Sequence, residues 1–347
     1  MIKVLVIDDS ATMRIMLKKL IDKSELMKCI GVAPNPVAAK DMIRELKPDV
    51  ITLDIEMPKM DGLEFLERMM RLSPIPVIMI STLTEAGSAS ALRALELGAI
   101  DFIAKPKVDV AEGIEEYAQE IHHKIEVAGG AKVRALTRDV PPIDFDARPP
   151  TKPEGVLATA EDRIIAIGAS TGGTEALKEI LLELPADCPP MLVAQHMPAA
   201  FLRSLALRLD LLCSMHVKIA EDGEVLRRGY VYIAPGHSDL KLDKNGDGYV
   251  CRLKCETPAP QSKSSIDQLF VSIAETAGDR GIGVVLTGMD SDGAQGARRM
   301  IEAGAFTIAQ DTQTSVVSSM PEAAMAKRGI SEVLPLNEIA ERLIKLH

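Results

Sequence analysis

Two α/β domains in tandem, each built on a doubly wound and mostly parallel sheet, are the fold this sequence predicts. Three observations carry that prediction. Short apolar runs alternate with stretches of helical periodicity along most of the chain. A stretch rich in Pro and Gly, residues 125–162, interrupts the alternation once. The 347 residues, 47% apolar and 26% charged, suffice for two sizeable cores.

The first block is residues 1–124. Apolar runs at 4–7, 29–32, 50–53, 77–80 and 100–103 read as strands. The stretches 12–23, 37–46, 63–71 and 88–97 carry apolar residues at helical spacing. Five βα units in succession predict a parallel sheet, whose chemistry gathers at the carboxyl ends of its strands. Residues 125–162 follow, with Gly129-Gly130, Pro141-Pro142, Pro149-Pro150 and Pro153 among scattered charges. They predict a linker, part flexible and part extended.

The second block is residues 163–347. It opens on an apolar strand at 163–167, a glycine-rich turn and a helix over 174–184. Further strands are expected at 191–195, 230–234 and 282–286, with His216 inside another. Residues 239–242 and 249–253 alternate around Asp243-Lys244-Asn245-Gly246-Asp247-Gly248. That turn opens like a calcium loop, but the position that should carry a bidentate Glu is Lys254. An inserted β-hairpin is the expectation. Cys251 and Cys255 would share one face of its second strand, without the further ligands of a zinc site.

Composition excludes several classes of function. The net charge of −10 is a poor match for a phosphate backbone, so no nucleic-acid partner is expected. No apolar run reaches the roughly 18 residues a membrane span needs, so no direct membrane insertion is expected. The first nine residues are apolar only briefly and end in Asp8-Asp9, unlike a signal peptide. Five widely spread cysteines fit a reducing compartment, and a cytoplasmic location is expected.

In the first block, charged residues fall at the expected strand ends. Asp8 and Asp9 follow the first strand, Asp54 the third and Lys105-Pro106 the fifth. Carboxylates at one sheet edge repel unless a cation joins them, and hard oxygen ligands with open positions suit Mg²⁺. A carboxylate beside Mg²⁺ can attack a phosphoryl group and become an aspartyl phosphate. Lys105 would pair with the phosphoryl oxygens, and Ser81, ending the fourth strand, would hydrogen-bond one of them. A single such Asp is commonly a helix cap; the joint placement is what points to chemistry.

At Val6-Ile7-Asp8-Asp9-Ser10, at Asp54-Ile55-Glu56-Met57-Pro58-Lys59-Met60-Asp61-Gly62, at Ser81 and at Gly98-Ala99-Ile100-Asp101-Phe102-Ile103-Ala104-Lys105-Pro106, the block resembles a response-regulator receiver domain. The resemblance covers nearly all of residues 1–124. It implies a flavodoxin-like (βα)5 fold and Asp54 as phosphoacceptor. It implies Mg²⁺ held by Asp8, Asp9 and Asp54, and Ser81, Phe102 and Lys105 as the switch residues. Phe102 reads equally well as a core aromatic.

In the second block, Gly168-Ala169-Ser170-Thr171-Gly172-Gly173 joins the opening strand to a helix. Gly168-x-Ser170-x-Gly172 has the spacing and the context of a nucleophile elbow. Its glycines permit a tight turn, and the helix N-terminus offers N–H groups to an oxyanion. Two other readings stand beside this one. The turn could bind phosphate, although the Lys-Ser/Thr pair of a Walker motif is absent. It could also be a plain turn with Ser170 as helix cap. Of the six histidines, His196 and His237 each follow a strand, and position alone leaves both as candidates for the base. Asp290 and Asp292 both follow the strand at 282–286, and either could orient a histidine. Asp292 also reads as a cap for the helix starting near Gly293. The order Ser, His, Asp differs from the Ser, Asp, His of ordinary α/β-hydrolases and counts against a general esterase.

The second block resembles the catalytic domain of the CheB family of chemotaxis protein-glutamate methylesterases. The matching stretches are Ala166 to Glu175, Gln195-His196-Met197-Pro198, Tyr232 to Gly236, Ser265 to Phe270, Leu286-Thr287-Gly288-Met289 with Asp292-Gly293-Ala294, and Ser315 to Ala323. The resemblance implies a triad of Ser170, His196 and Asp292, with Thr171 and Met289 lining the site and Met289 near the oxyanion. It implies removal of methyl groups from γ-glutamyl methyl esters of chemoreceptors and deamidation of certain receptor glutamines, with no cofactor for the esterase chemistry. The implied partners are the cytoplasmic domains of methylated chemoreceptors and a chemotaxis histidine kinase as phosphodonor. The unphosphorylated receiver would cover the catalytic face, and phosphorylation would weaken that docking. Two positions depart from the family pattern. Asp290 stands where Gly is usual, and Asp239 where His is frequent, with His237 two positions earlier. A non-catalytic response regulator and a small-molecule esterase are the competing classes.

Overall fold

The computed structural model describes residues 1–57, 61–81, 84–105, 114–133, 135–136, 152–254 and 265–346. The chain divides into two compact units, Met1–Pro142 and Ile143–His347.

The first unit has five strands: β1 (Ile2–Ile7), β2 (Met27–Ala33), β3 (Val50–Asp54), β4 (Val77–Ser81) and β5 (Asp101–Ala104). Their order in the sheet is β2-β1-β3-β4-β5, all parallel. Val4 to Ile7 are wholly buried, which is why the strand reads as an unbroken apolar run. The helices are α1 (Ala11–Ile21), α2 (Pro36–Leu46), α3 (Gly62–Leu72), α4 (Glu85–Glu96) and α5 (Ile114–Gly130). Their starts are written locally. Ser10, Asn35, Asp61 and Thr84 each accept a hydrogen bond from the first turn they precede, and Pro36 opens α2. The sheet reverses direction of growth between β1 and β3, which places the ligand crevice there.

The second unit holds β6 (Ile164–Ala169), β7 (Met191–Gln195), β8 (His216–Ile219), β9 (Tyr230–Ile233), β12 (Gly281–Val285), β13 (Phe306–Gln310) and β14 (Glu332–Leu334) in one sheet. Between them lie β10 (Asp239–Asn245) and β11 (Gly248–Lys254), an antiparallel pair outside that sheet. Its helices are α6 (Gly173–Glu183), α7 (Ala199–Leu212), α8 (Ile266–Thr276), α9 (Ala294–Glu302), α10 (Ser319–Ala326) and α11 (Leu336–Leu346). The seven strands run β14-β13-β12-β6-β7-β9-β8, all parallel. The chain leaves β6 toward β7 and returns on its other side at β12. The crevice at this reversal lies beyond the carboxyl ends of β6, β7 and β12.

The expected hairpin is present as β10 and β11, with Leu240, Leu242 and Cys251 buried in the core it shares with α8. Cys255 lies outside the described residues. Cys29, Cys188, Cys213 and Cys251 are free and buried, and burial pushes the Cys188 and Cys213 thiols up to about 12. Such thiols are inert.

The stretch expected to be linker is narrower at both ends than 125–162. Helix α5 continues to Gly130 because Ile125 and Ala128 extend its buried face beyond Tyr117 and Ile121. At the other end, Lys152 Nζ donates to Asp210 O, to Asp210 Oδ1 at 2.7 Å and to Met215 O at 2.7 Å. The buried Ala158 donates its N–H to Leu226 O at 2.9 Å. Residues 137–151 lie outside the described residues. No helix among the described residues is long and apolar enough to cross a membrane.

Candidate functional site

In the first unit, Asp8, Asp9 and Asp54 bring carboxylate oxygens within 4.8 Å of one another. Asp8 and Asp54 are buried and Asp9 is exposed. Lys105 Nζ is 2.8 Å from Asp54 Oδ2 and 3.8 Å from Asp8 Oδ2. Burial pushes the Asp54 carboxyl up to about 6, although Lys105 opposes this, and burial also raises Asp8. Among the described residues, Asp8 Oδ2 is buried without a hydrogen-bond partner. A cluster of carboxylates this desolvated, with an orphaned oxygen, fits a hard divalent cation. Ser81 is buried and donates to Gly87 O at 3.1 Å. Phe102 is buried, with Lys124 Nζ 5.1 Å from its ring centroid. Arg14 ties down the loop carrying the pair, donating to Asp8 O at 2.7 Å and Asp9 O at 2.9 Å.

In the second unit, Ala169 ends β6 opposite Gln195, the last residue of β7. Ser170 and His196 therefore leave adjacent strands at one level, and His196 N–H donates to Ala169 O at 3.0 Å. Gly172, at φ 76, makes the turn into α6; a Cβ there would lie 2.8 Å from Val316. His196 Nε2 lies 2.8 Å from Asp292 Oδ2, and the imidazole is 6% exposed. The carboxylate accepts from Nε2–H, which leaves the lone pair on Nδ1. Among the described residues, Nδ1 is buried without a hydrogen-bond partner.

Asp292 stands in the loop between β12 and α9, the third element at the crevice. Its Oδ2 also accepts from Ile266 N at 2.8 Å, and Oδ1 from Asp267 N and Gly293 N, both at 2.9 Å. Burial opposes its charge, but the bonds from His196 and from the Asp267 and Ile266 N–H groups prevail and hold its carboxyl below the ordinary value. Asp290 points the chain another way: it is exposed, at φ 77. His237 is exposed at the end of β9, one strand further from β6.

A family model described as CheB methylesterase matches residues 165–343, and one described as response regulator receiver domain matches residues 4–116. A protein-glutamate methylesterase/protein-glutamine glutaminase of Burkholderia thailandensis is 69% identical over 100% of this chain and 96% of its own length. This chain belongs to the CheB methylesterase family. A protein of the same description from Nitrosomonas europaea is 48% identical over 99% of this chain and 96% of its own. The CheB methylesterase catalytic domain of Thermotoga maritima, a crystal structure, is 38% identical, with a TM-score of 0.52. It covers 54% of this chain and 100% of that one.

Within this CheB-family chain, both sequence departures have visible places. Asp290 occupies a left-handed position, the backbone conformation that favours Gly. Asp239, at the start of β10, accepts from Ser265 N at 2.7 Å and so fixes the residue capping α8. The Ser170 N–H donates to Thr287 O at 3.1 Å and so is turned away from any oxyanion. Thr171 and Met289 are buried beside this turn.

Sequence reasoning missed several supporting residues. Buried Gln195 donates to Ser170 O at 2.9 Å. The buried Thr287 hydroxyl lies 3.0 Å from the carbonyls of Thr171 and Val317. Both are polar residues at the ends of apolar strands, the one signal that marked them.

Proposed function

We propose that this chain is a phosphorylation-activated hydrolase that demethylates γ-glutamyl methyl esters of chemoreceptors and deamidates specific receptor glutamines. The observation that carries this reading is the His196–Asp292 pair, its Nδ1 without a hydrogen-bond partner among the described residues, one strand from Ser170. The CheB-family relatives carry the same activities in their descriptions.

Ser170 Oγ attacks the ester carbonyl while His196 Nδ1 takes its proton. The N–H groups at 171–172 and at Met289 are the candidates to face the oxyanion. The imidazolium, held by Asp292, returns the proton to the departing methanol, or to ammonia from a glutamine. Water then adds to the acyl-enzyme, with His196 again as base, and frees the glutamate side chain and Ser170.

Control comes from Asp54, phosphorylated by a chemotaxis histidine kinase in the cytoplasm. Asp8, Asp9 and Asp54 would hold Mg²⁺, whose charge neutralises the carboxylates and the incoming phosphoryl oxygens. Lys105 and Ser81 meet the phosphoryl group, and Phe102 senses the change.

The test is methanol release from a methylated chemoreceptor fragment, with and without a small phosphodonor plus Mg²⁺. Wild type should respond to the donor, Asp54→Asn should not, and Ser170→Ala should release nothing. Release unaffected by Ser170→Ala would refute the triad.

A further inference from the structure

Asp267 lies in the matching stretch Ser265 to Phe270, where the resemblance assigns it no role, yet it stands against the carboxylate that orients His196. The two acidic residues cap each other's helices. Asp292, just before α9, accepts from the N–H groups of Ile266 and Asp267 that open α8, at 2.8 and 2.9 Å. Asp267, in the first turn of α8, accepts in return from Gly296 N in the first turn of α9, at 2.6 Å. Each carboxylate thus meets the positive end of the other's helix.

The two helix ends can be this close because residue 296 is glycine. A Cβ there would lie 2.6 Å from Phe270 Cβ and 2.8 Å from Asp267 O. Burial and the neighbouring Asp292 charge both push the Asp267 carboxyl up. The two carboxylates therefore remain together only while both helices direct N–H groups at them. If the cap on α9 is lost, the start of α9 is free to shift against α8. Asp292 lies between those two helix ends, so its aim at Nε2 shifts with them.

We propose that Asp267 is a positioning residue for the hydrolytic site: by capping α9 it fixes the Asp292 carboxylate that orients His196. The inference rests on the hydrolase reading above. Among the described residues, the side-chain hydrogen bonds of Asp267 run to the start of α9, and none reaches His196 or the Ser170 turn.

The experiment measures methanol release from a methylated chemoreceptor fragment by the full-length protein, activated with a small phosphodonor and Mg²⁺. Asp267→Ala should lower kcat per folded molecule about 10–100-fold, with KM within about twofold of wild type. Asp267→Asn keeps an acceptor oxygen for Gly296 and should lose less than about 10-fold. In an Asp292→Asn background either substitution should cost less than about twofold more, because Asp267 acts through that carboxylate. The same loss in both backgrounds, a changed KM with kcat intact, or a loss beyond about 10-fold in Asp267→Asn would overturn the proposal. If Asp267→Ala does not fold, Asp267→Asn alone decides it. Activity surviving in Ser170→Ala would instead overturn the hydrolase reading, a separate result in the same assay.

Discussion

His196 Nε2 and the Ile266 N–H meet on one oxygen of Asp292, 2.8 Å from each. One carboxylate thus orients the base and opens helix α8. Asp292→Asn cannot satisfy both. Its acceptor oxygen is drawn to the Asp267 and Gly293 N–H groups, which meet on Oδ1, and the amide NH2 then takes the place of Oδ2, facing Nε2. Nε2 must then accept, and the ring proton moves to Nδ1, which can no longer take a proton from Ser170. Methanol release should fall by about 10³-fold or more. The depressed Asp292 pKa stabilises the fold above about pH 4, and this stabilisation is lost as pH falls through the native value. Urea unfolding should therefore show a wild-type advantage of about 1–2 kcal/mol at pH 7 that shrinks below about pH 4.

Thr287 ties the nucleophile's turn to the loop after β12. Its carbonyl holds Ser170 N–H at 3.1 Å, and its hydroxyl accepts from Val317 N at 3.0 Å. Thr287→Val keeps the shape and the carbonyl but strands the Val317 N–H and the Thr171 carbonyl that the hydroxyl meets. It should cost about 1–3 kcal/mol in unfolding free energy. A drop in kcat with little change in KM should accompany it. Unchanged stability would show that water satisfies the freed groups.

The first sheet and β6, β7, β8, β9 and β12 of the second were legible because parallel strands buried on two faces read as apolar runs; β13 and β14 were not among the expected strands. The base was not. His196 and His237 each follow a strand, and what separates them is that β7 lies beside β6 while β9 lies beyond it. Strand order is a long-range outcome that no local pattern records; resemblance, not spacing, had singled out His196. Asp267 and Asp292 pose the same difficulty, since their pairing depends on how α8 crosses α9. The overlong linker is a different case. Tyr117, Ile121, Ile125 and Ala128 keep helical spacing into it, and composition alone obscured that periodicity.

Asp290 sits at φ 77, where any side chain carries a cost of on the order of 1 kcal/mol that glycine escapes, and Asn or Asp carry less of it than other residues. Asp290→Gly removes that strain but adds unfolded-state entropy. The net gain should lie between zero and about 1 kcal/mol. It is read as a higher urea midpoint at unchanged slope. A lowered midpoint would mean that the Asp290 side chain contributes more than its backbone costs.

Asp54 provides the pH test of the receiver. Its carboxyl is raised to about 6, so the folded state retains a proton that the unfolded chain releases near pH 4. Stability of the metal-free protein should therefore fall as pH rises from about 4 to 6 and level off above that. Asp54→Asn removes the buried charge. In chelator at pH 7.5 it should be more stable than wild type by on the order of 1–3 kcal/mol, with the two converging near pH 4. Mg²⁺ should reverse the order at pH 7.5, because it neutralises carboxylates that only the wild type presents in full, and its affinity should be weaker at pH 5.5. Scanning calorimetry of both proteins, with chelator and with Mg²⁺, reads these differences. A wild type already the more stable in chelator at pH 7.5 would mean that Lys105, 2.8 Å from Asp54 Oδ2, outweighs the desolvation by itself.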